Sequence, residues 1–301
     1  MRSGRTLRRW LVMLVPMLIA APAAAEIRVV DDTGATVVLA TPARRIVTLA
    51  PHAAELVFAA GAGERVVAVV KGTDYPEAAR TLPIIGDVAA LDLERIVMLA
   101  PDLIVTWPWT TPAQVAWLRA RGIAVFEADA RTPDGIATDI ERIGALTETL
   151  PAASKAAASF RRRLAELGRT RDDGPRVRVF YQVSDAPLFT LGGQHLVSRA
   201  ITHCGGENVF AALAIPAPQV SVESVLAAAP QAIIAGTDGG RRPAWLDAWS
   251  RWPALDAVRY HNLFTVDANL LHRPGPRFVD GIAQLCETLA RARRRDRGGR
   301  L

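Results

Sequence analysis

The sequence is poor in the groups that build metal and redox chemistry. It holds 2 cysteines and 5 histidines in 301 residues, and no cluster of either, which argues against a structural zinc site. No G-x-G-x-x-G follows a β-rich run and no Walker A segment occurs, so the usual cradles for dinucleotides and nucleoside triphosphates are missing. His52, Ser184 and Asp185 are the residue types of a hydrolase triad, but no G-x-S-x-G elbow accompanies them, and no catalytic residue is assigned. Gly192-Gly193 and Gly205-Gly206 read as turn residues. Beyond residue 25 no run is long and apolar enough to span a bilayer.

Positive charge is also scarce where it would matter. The formal charge of +6 is real, and the sequence pI is about 10.1, but both belong to the ends. Residues 1–25 carry Arg2, Arg5, Arg8 and Arg9 and no acid. Residues 291–301 carry six arginines against Asp296 alone. The body from 26 to 290 is left at −3. Nucleic-acid binders need basic residues along a folded face, so that class is excluded.

Half of the residues are apolar, enough for one or two true cores. The first 25 residues read as a secretory signal: an Arg-rich start, an apolar run Trp10–Ala20, and Ala23-Ala24-Ala25 as the cleavage site, near Ala25. A membrane anchor fits worse. Trp10 to Ala25 is 16 residues with Pro16 and Pro22 inside, against the roughly 20 a bilayer requires. No Cys follows the run, so lipid attachment is not expected. The mature chain is expected to be soluble and periplasmic. In an oxidising compartment Cys204 and Cys286 are free to pair, the alternative being two separate buried thiols.

Ile27–Val30 and Thr36–Leu39 read as a hairpin around Asp32-Thr33-Gly34. Strands and helices then alternate: Arg45–Leu49, helix Ala53–Ala60, Val66–Val70, helix Leu93–Leu99, Leu103–Thr106, helix Pro112–Arg121 and Ile123–Glu127. This is βαβ alternation and predicts an α/β fold with parallel sheets. The rhythm restarts at Val177–Gln182, Ala232–Ala235 and Leu263–Val266. Between the halves, Pro133–Leu150 and Ala152–Leu167 read as helices, stopped by Asp172-Asp173-Gly174-Pro175. The expected layout is a signal at 1–25, an N-terminal lobe at 26–145, a connecting helix at 146–174, a C-terminal lobe at 175–290 and a basic disordered tail at 291–301.

An internal repeat supports two lobes. Residues 91–105 (LDLERIVMLAPDLIV) align with 220–234 (VSVESVLAAAPQAII). In each, an N-cap residue (Asp92, Ser221) starts a short helix and Ala-Pro stops it before an apolar strand. In each, a glutamate (Glu94, Glu223) lies two residues past the cap. Helix-dipole stabilisation is one explanation; a paired surface role is the other.

The run Arg45-Ile46-Val47-Thr48-Leu49-Ala50-Pro51 with Glu55 and Gly61, then Thr73-Asp74-Tyr75-Pro76 and Ala100-Pro101-Asp102-Leu103, resembles the periplasmic substrate-binding proteins of ABC importers for cobalamin, haem and iron-siderophores. His203-Cys204-Gly205-Gly206-Glu207-Asn208-Val209-Phe210, Pro218-Gln219-Val220-Ser221 and Gln284-Leu285-Cys286 are most similar to the cobalamin-binding type. The similarity covers about residues 44–290. It implies two Rossmann-like lobes joined by a single long helix (class III of these binding proteins), ligand in the interlobe cleft, a Cys204–Cys286 disulfide, and no enzyme activity or cofactor. It implies that Glu94 and Glu223 dock onto arginines of the importer's membrane subunits, and a monomeric receptor.

For the ligand, the resemblance maps Trp107 and Phe189 onto aromatic positions of the cobalamin cleft and Arg273 onto a polar contact. Gly72, Val88 and Ala217 stand where the cobalamin binder has aromatic residues, and Asn269 where it has an aspartate. His52, Trp109, Leu271 and His272 are candidates to complete this thinner cradle. Trp117, Trp245 and Trp249 read as packing. Haem is the rival ligand, with His52 or His272 as axial ligand. Ferric siderophores are a third, with Arg273 and Arg277 meeting their charge. A periplasmic hydrolase is remote.

Overall fold

The computed structural model describes residues 26–169 and 174–298; the expected signal at 1–25 falls outside them. The N-terminal half opens with the antiparallel hairpin β1 (Ile27–Val30) and β2 (Thr36–Leu39). It continues through β3 (Ile46–Thr48), α1 (Pro51–Ala59), β4 (Val66–Ala68), the short hairpin β5 (Gly86–Asp87) and β6 (Ala90–Leu91), and α2 (Leu93–Met98). It then runs through β7 (Leu103–Thr106), α3 (Pro112–Arg119), β8 (Ala124–Glu127) and α4 (Pro133–Leu146). After α5 (Leu150–Arg169) come β9 (Val177–Gln182), β10 (Ser184–Asp185), β11 (Leu188–Phe189), α6 (Leu196–His203), β12 (Gly206–Asn208), α7 (Val222–Ala228) and β13 (Ala232–Thr237). The chain ends in α8 (Ala244–Asp247), α9 (Asp256–Arg259), β14 (Leu263–Asp267), α10 (Ala268–Leu271) and α11 (Phe278–Gly298).

Each lobe holds one four-stranded parallel sheet, ordered β4-β3-β7-β8 and β12-β9-β13-β14. The central strands carry near-continuous apolar residues because helices cover both faces: Ile46, Val47, Leu103, Ile104 and Val105 are fully buried, as are Val179, Phe180, Ile233 and Ile234. The repeat is real in three dimensions. Asp92 caps α2 by accepting the Arg95 N–H, and Ser221 caps α7 by accepting the Ser224 N–H. Each helix is followed by an alanine of left-handed conformation (Ala100, φ 46°; Ala229, φ 43°) ahead of its proline.

The connector is α5. The expected helix Pro133–Leu150 is instead broken after Leu146, where Glu148 takes a left-handed φ of 55° and turns the chain back along α4. Gly144 allows the close approach: a Cβ there would stand 2.3 Å from Ala153 Cβ. Arg161 on α5 pairs with Asp134 and Glu141 on α4, and Arg163 pairs with Asp280 on α11, so the connector is fastened to both lobes.

The basic tail is a correction. Residues 291–298 are the last turns of α11 and not a disordered tail, with Arg291, Arg293 and Arg295 partnered on the C-terminal lobe; residues 299–301 lie outside the described residues. Arg293 is buried and donates to the Gly205 carbonyl at 3.1 Å. Arg295 donates to the His261 carbonyl, and the guanidinium groups of Arg291 and Arg295 lie over the Phe264 ring. A second correction is Gly206, which begins β12, while Gly205 makes the turn with φ 78°. Cys204, at the end of α6, is bonded to Cys286 on α11. Trp249 packs in the C-terminal core with its indole N–H on Gln182 Oε1 at 2.7 Å; Trp245 and Trp117 pack at the edges of their cores.

One buried carboxyl contributes to the pH response of the N-terminal lobe. Asp139 on α4 is fully buried beside Arg142, which also binds Asp32 at 2.7 Å. Burial, reinforced by the Asp32 charge, pushes the Asp139 carboxyl up to about 9. The folded chain therefore keeps a proton that the unfolded chain releases above the ordinary carboxylate value. Stability from this group is complete in acid and is lost as pH rises from about 4 toward about 9. Asp139→Asn is expected to raise the unfolding free energy at pH 8 by about 2 kcal/mol and to flatten its fall between pH 5 and 8. Urea unfolding at the two pH values checks this; parallel pH slopes in the two proteins would refute it.

Candidate functional site

The two parallel sheets point their carboxyl ends at the gap between the lobes, where open α/β sheets place ligands. Trp107 follows β7 directly, Asp129 and Arg131 follow β8, and Leu271 and His272 follow β14 through α10. These residues meet across a cavity of about 400 Å³ whose other wall is formed by Gln194, His195 and Leu196 at the start of α6 and by Pro216 and Ala217. Trp107 and Trp109 stack with ring centroids 5.8 Å apart and planes 27° from parallel. Trp109 is 74% exposed, so its face is open to whatever enters.

Among the residues expected at the ligand, Trp107, Ala217, Trp109, Leu271 and His272 line this cavity. The others are not among the residues that line it. His52 is 1% exposed and lies edge-on to Trp107 at 5.0 Å, beneath the cavity and not in it. Burial, then the Arg273 charge, pushes its pKa down to about 3, so it is a neutral imidazole. Its Nε2 and the Trp107 Nε1 are both buried without a protein partner. Phe189 sits half-buried on β11, bridged to Gln219. Gly72 takes a left-handed turn with φ 86°, and Val88 is exposed in the β5–β6 turn. Asn269 donates to Asp238 Oδ1 at 3.0 Å. Arg273 is paired with Asp74.

Asp129, Arg131, Gln194, His195 and Pro216 carried no sequence signal for the cavity, since each comes from a loop whose position depends on both sheets. His195 caps α6, its Nδ1 accepting the Val197 N–H at 3.2 Å. Burial, then the neighbouring His272 charge, pushes its pKa down to about 4. Burial also lowers His272, whose Nε2 lies 2.9 Å from the Tyr181 hydroxyl. The cavity therefore offers neutral imidazoles and aromatic faces, with the Arg131–Asp129 pair at its rim.

Beside the cavity the lobes are joined by charge. Glu55, in the middle of α1, is 2% exposed. Arg277, from the other lobe, donates to its two carboxylate oxygens at 2.6 and 2.9 Å. Arg273 lies 3.8 Å from Glu55 and donates to Asp74 Oδ1 at 2.5 Å. The Arg277 guanidinium also covers the Tyr75 ring at 4.1 Å. Burial raises the Glu55 carboxyl above its ordinary value despite Arg277. At Asp74 burial pushes the other way, but the Arg273 hydrogen bond and charge hold it below that value.

At the lobe surfaces, Glu94 and Glu223 are both exposed in the first turns of α2 and α7. Its own backbone N–H and the Ser221 hydroxyl hold Glu223 below the ordinary carboxylate value. Met98, in the last turn of α2, is 83% exposed. No helix of the described residues is long and apolar enough to cross a membrane, and no cluster of three metal-ligating side chains occurs among them.

Comparison with known proteins agrees with this geometry. The sequence pattern of the periplasmic binding protein family matches residues 46–270. The vitamin B12-binding protein of Vibrio cholerae is 37% identical over 250 residues, covering 82% of this chain and 90% of that one. The crystal structure of periplasmic vitamin B12 binding protein BtuF of Vibrio cholerae superposes with a TM-score of 0.76, covering 84% of this chain and 98% of that one. The periplasmic heme-binding protein RhuT of Roseiflexus sp. RS-1, in its apo form, superposes with a TM-score of 0.70 at 26% identity, covering 83% and 98%.

Proposed function

The chain belongs to the periplasmic binding protein family, and from that premise we propose that it captures cobalamin or a related corrinoid in the interlobe cleft and delivers it to an ABC importer. It is a binding protein and not an enzyme, and the corrinoid is cargo and not a cofactor. The observation that carries the ligand reading is the Trp107–Trp109 stack on the cavity wall. A corrinoid has broad apolar faces and an amide-fringed edge; aromatic planes cover the first, and neutral imidazoles such as His195 and His272 suit the second. The 37% identity to the Vibrio cholerae vitamin B12-binding protein adds to it.

Haem is the weaker reading. His52, an expected axial ligand, is buried beneath Trp107, and His272 Nε2 is engaged by the Tyr181 hydroxyl. Ferric siderophores lose their expected cations, because Arg273 and Arg277 are already paired with Asp74 and Glu55.

In this reading residues 1–25 direct export and are removed near Ala25, and Glu94 and Glu223 dock the loaded receptor on the importer. Calorimetry of the mature protein with cyanocobalamin, cobinamide, haemin and a ferric siderophore tests the ligand. Saturable one-site binding of cyanocobalamin is expected. Trp107→Ala should weaken it roughly 10–100-fold, the loss of about 1.4–2.8 kcal/mol of stacking and burial. Saturable binding of haemin with none of either corrinoid would sink the reading.

A further inference from the structure

Buried carboxylates in helices are rare unless something forces them, and Glu55 is one: it sits among Ala53, Ala54, Leu56 and Val57, all fully buried. Its partners come from the other half of the chain, 222 residues away. They belong to one segment, His272-Arg273-Pro274-Gly275-Pro276-Arg277, whose first and third residues line the cavity. Gly275 lets this segment rest on α1: a Cβ there would meet Glu55 Oε2 at 3.3 Å and His52 Cβ at 3.5 Å. Two prolines stiffen the segment at fixed φ. Asp74 and Tyr75 close on the same arginines from the N-terminal lobe.

We propose that the Glu55–Arg277 and Asp74–Arg273 pairs form a cross-lobe clamp that sets the width of the cleft before ligand arrives, with Glu55 as its positioning residue. The clamp fixes where Leu271, His272 and Pro274 stand relative to Trp107, and so fixes the spacing of the two walls that grip the ligand. The bidentate geometry matters, since a planar guanidinium on both carboxylate oxygens fixes direction as well as distance. Burial matters too at the Glu55 end: a pair shielded from water is little screened by salt, so the Glu55–Arg277 pair holds at periplasmic ionic strength. The connector helix and the helices packed on it restrain the lobes on one side; the clamp adds a restraint on the cleft itself, and the two together define an opening. Arg273, placed 2.5 Å from Asp74, is held by the clamp and is thereby removed from the set of ligand contacts.

The test builds on the corrinoid reading but reads the clamp independently. Spin labels are placed at exposed positions on the two lobes, through Met98→Cys and Ala227→Cys in the disulfide-intact mature protein, and the interlobe distance is measured by pulsed electron resonance. In the parent protein a single narrow distribution is expected, unchanged by cyanocobalamin. Glu55→Gln, which keeps the shape and removes the charge, is expected to broaden it and to weaken cyanocobalamin roughly tenfold or more, mainly through slower association. Cyanocobalamin at saturation should narrow the distribution again. Arg277→Lys, at the more exposed end of the pair, provides a milder variant should Glu55→Gln fold poorly, and should shift both readouts in the same direction.

If the variants lower the melting temperature but leave the distance distribution and the affinity at parent values, Glu55 is a structural residue only and the clamp is overturned. A broadened distribution in Glu55→Gln, in a protein that fails to bind any corrinoid even as the parent, upholds the clamp and overturns the ligand assignment instead.

Discussion

Exchanging Glu94 and Glu223 together for alanine is expected to abolish delivery of the ligand to the importer while leaving its capture intact. Both side chains are exposed, so their loss costs little folding stability, and the caps of α2 and α7 remain with Asp92 and Ser221. In the proposed docking, two carboxylates carried on different lobes of one body fix two points of the complex. Charges of this kind govern orientation and rate of encounter more than raw affinity. Each single variant should slow docking about tenfold, and the pair should remove transport altogether. Uptake in cells lacking their own receptor, measured beside calorimetry of the purified variants, separates the two effects. Normal uptake by the double variant would end the docking assignment, and a matching fall in corrinoid affinity would place the glutamates in ligand binding instead.

Removing the Cys204–Cys286 bond should produce the largest change in stability. The cysteines are 82 residues apart in sequence, so the bond restrains a long loop of the unfolded chain. Chain-entropy reasoning gives about 4 kcal/mol for such a loop. The double variant Cys204→Ala, Cys286→Ala should therefore melt roughly 10 °C lower at the usual slope for a chain of this size. It should still bind ligand well below its melting point, since α6 and α11 keep their packing through Leu289, Ile201 and Ile282. Equilibrium denaturation with and without reductant provides the check. A loss below about 1 kcal/mol would mean that packing, and not the cross-link, holds α6 on α11.

The two-lobe architecture was legible because it is written in local signals. Asp92 and Ser221 cap their helices as their residue types predict, and the apolar runs of β3, β7, β9 and β13 can be buried only in sheets covered on both faces. The repeat of residues 91–105 at 220–234 exposed the duplication directly. Helix ends without a local stop were read less well. Leu146 to Leu150 looked continuous because the turn there uses Glu148, a residue with no special preference for a left-handed φ. The last turns of α11 look like a loose tail in the sequence because their arginines resemble a solvated charge run. Their partners, the Gly205 and His261 carbonyls and the Phe264 ring, are distant in sequence.

The site divides the same way. The sequence by itself determined the fold class, the two lobes, the paired glutamates, the two cysteines and the candidate aromatic residues, because each depends on spacing within a short stretch or on a resemblance carried by such stretches. The tertiary structure alone decided which of those residues share a cavity. It put His52 beneath Trp107 and drew Asp129, Arg131, Gln194 and His195 into the walls. It also paired Arg273 and Arg277, two candidate ligand contacts, with Asp74 and Glu55. Even the basic pI that seemed to characterise the chain dissolves into two termini, one outside the described residues and one whose Arg291, Arg293 and Arg295 meet the C-terminal lobe. The physical reason is that a charge finds its partner by proximity in space, and proximity across a cleft is fixed by two sheets and a connecting helix together, which no local pattern encodes.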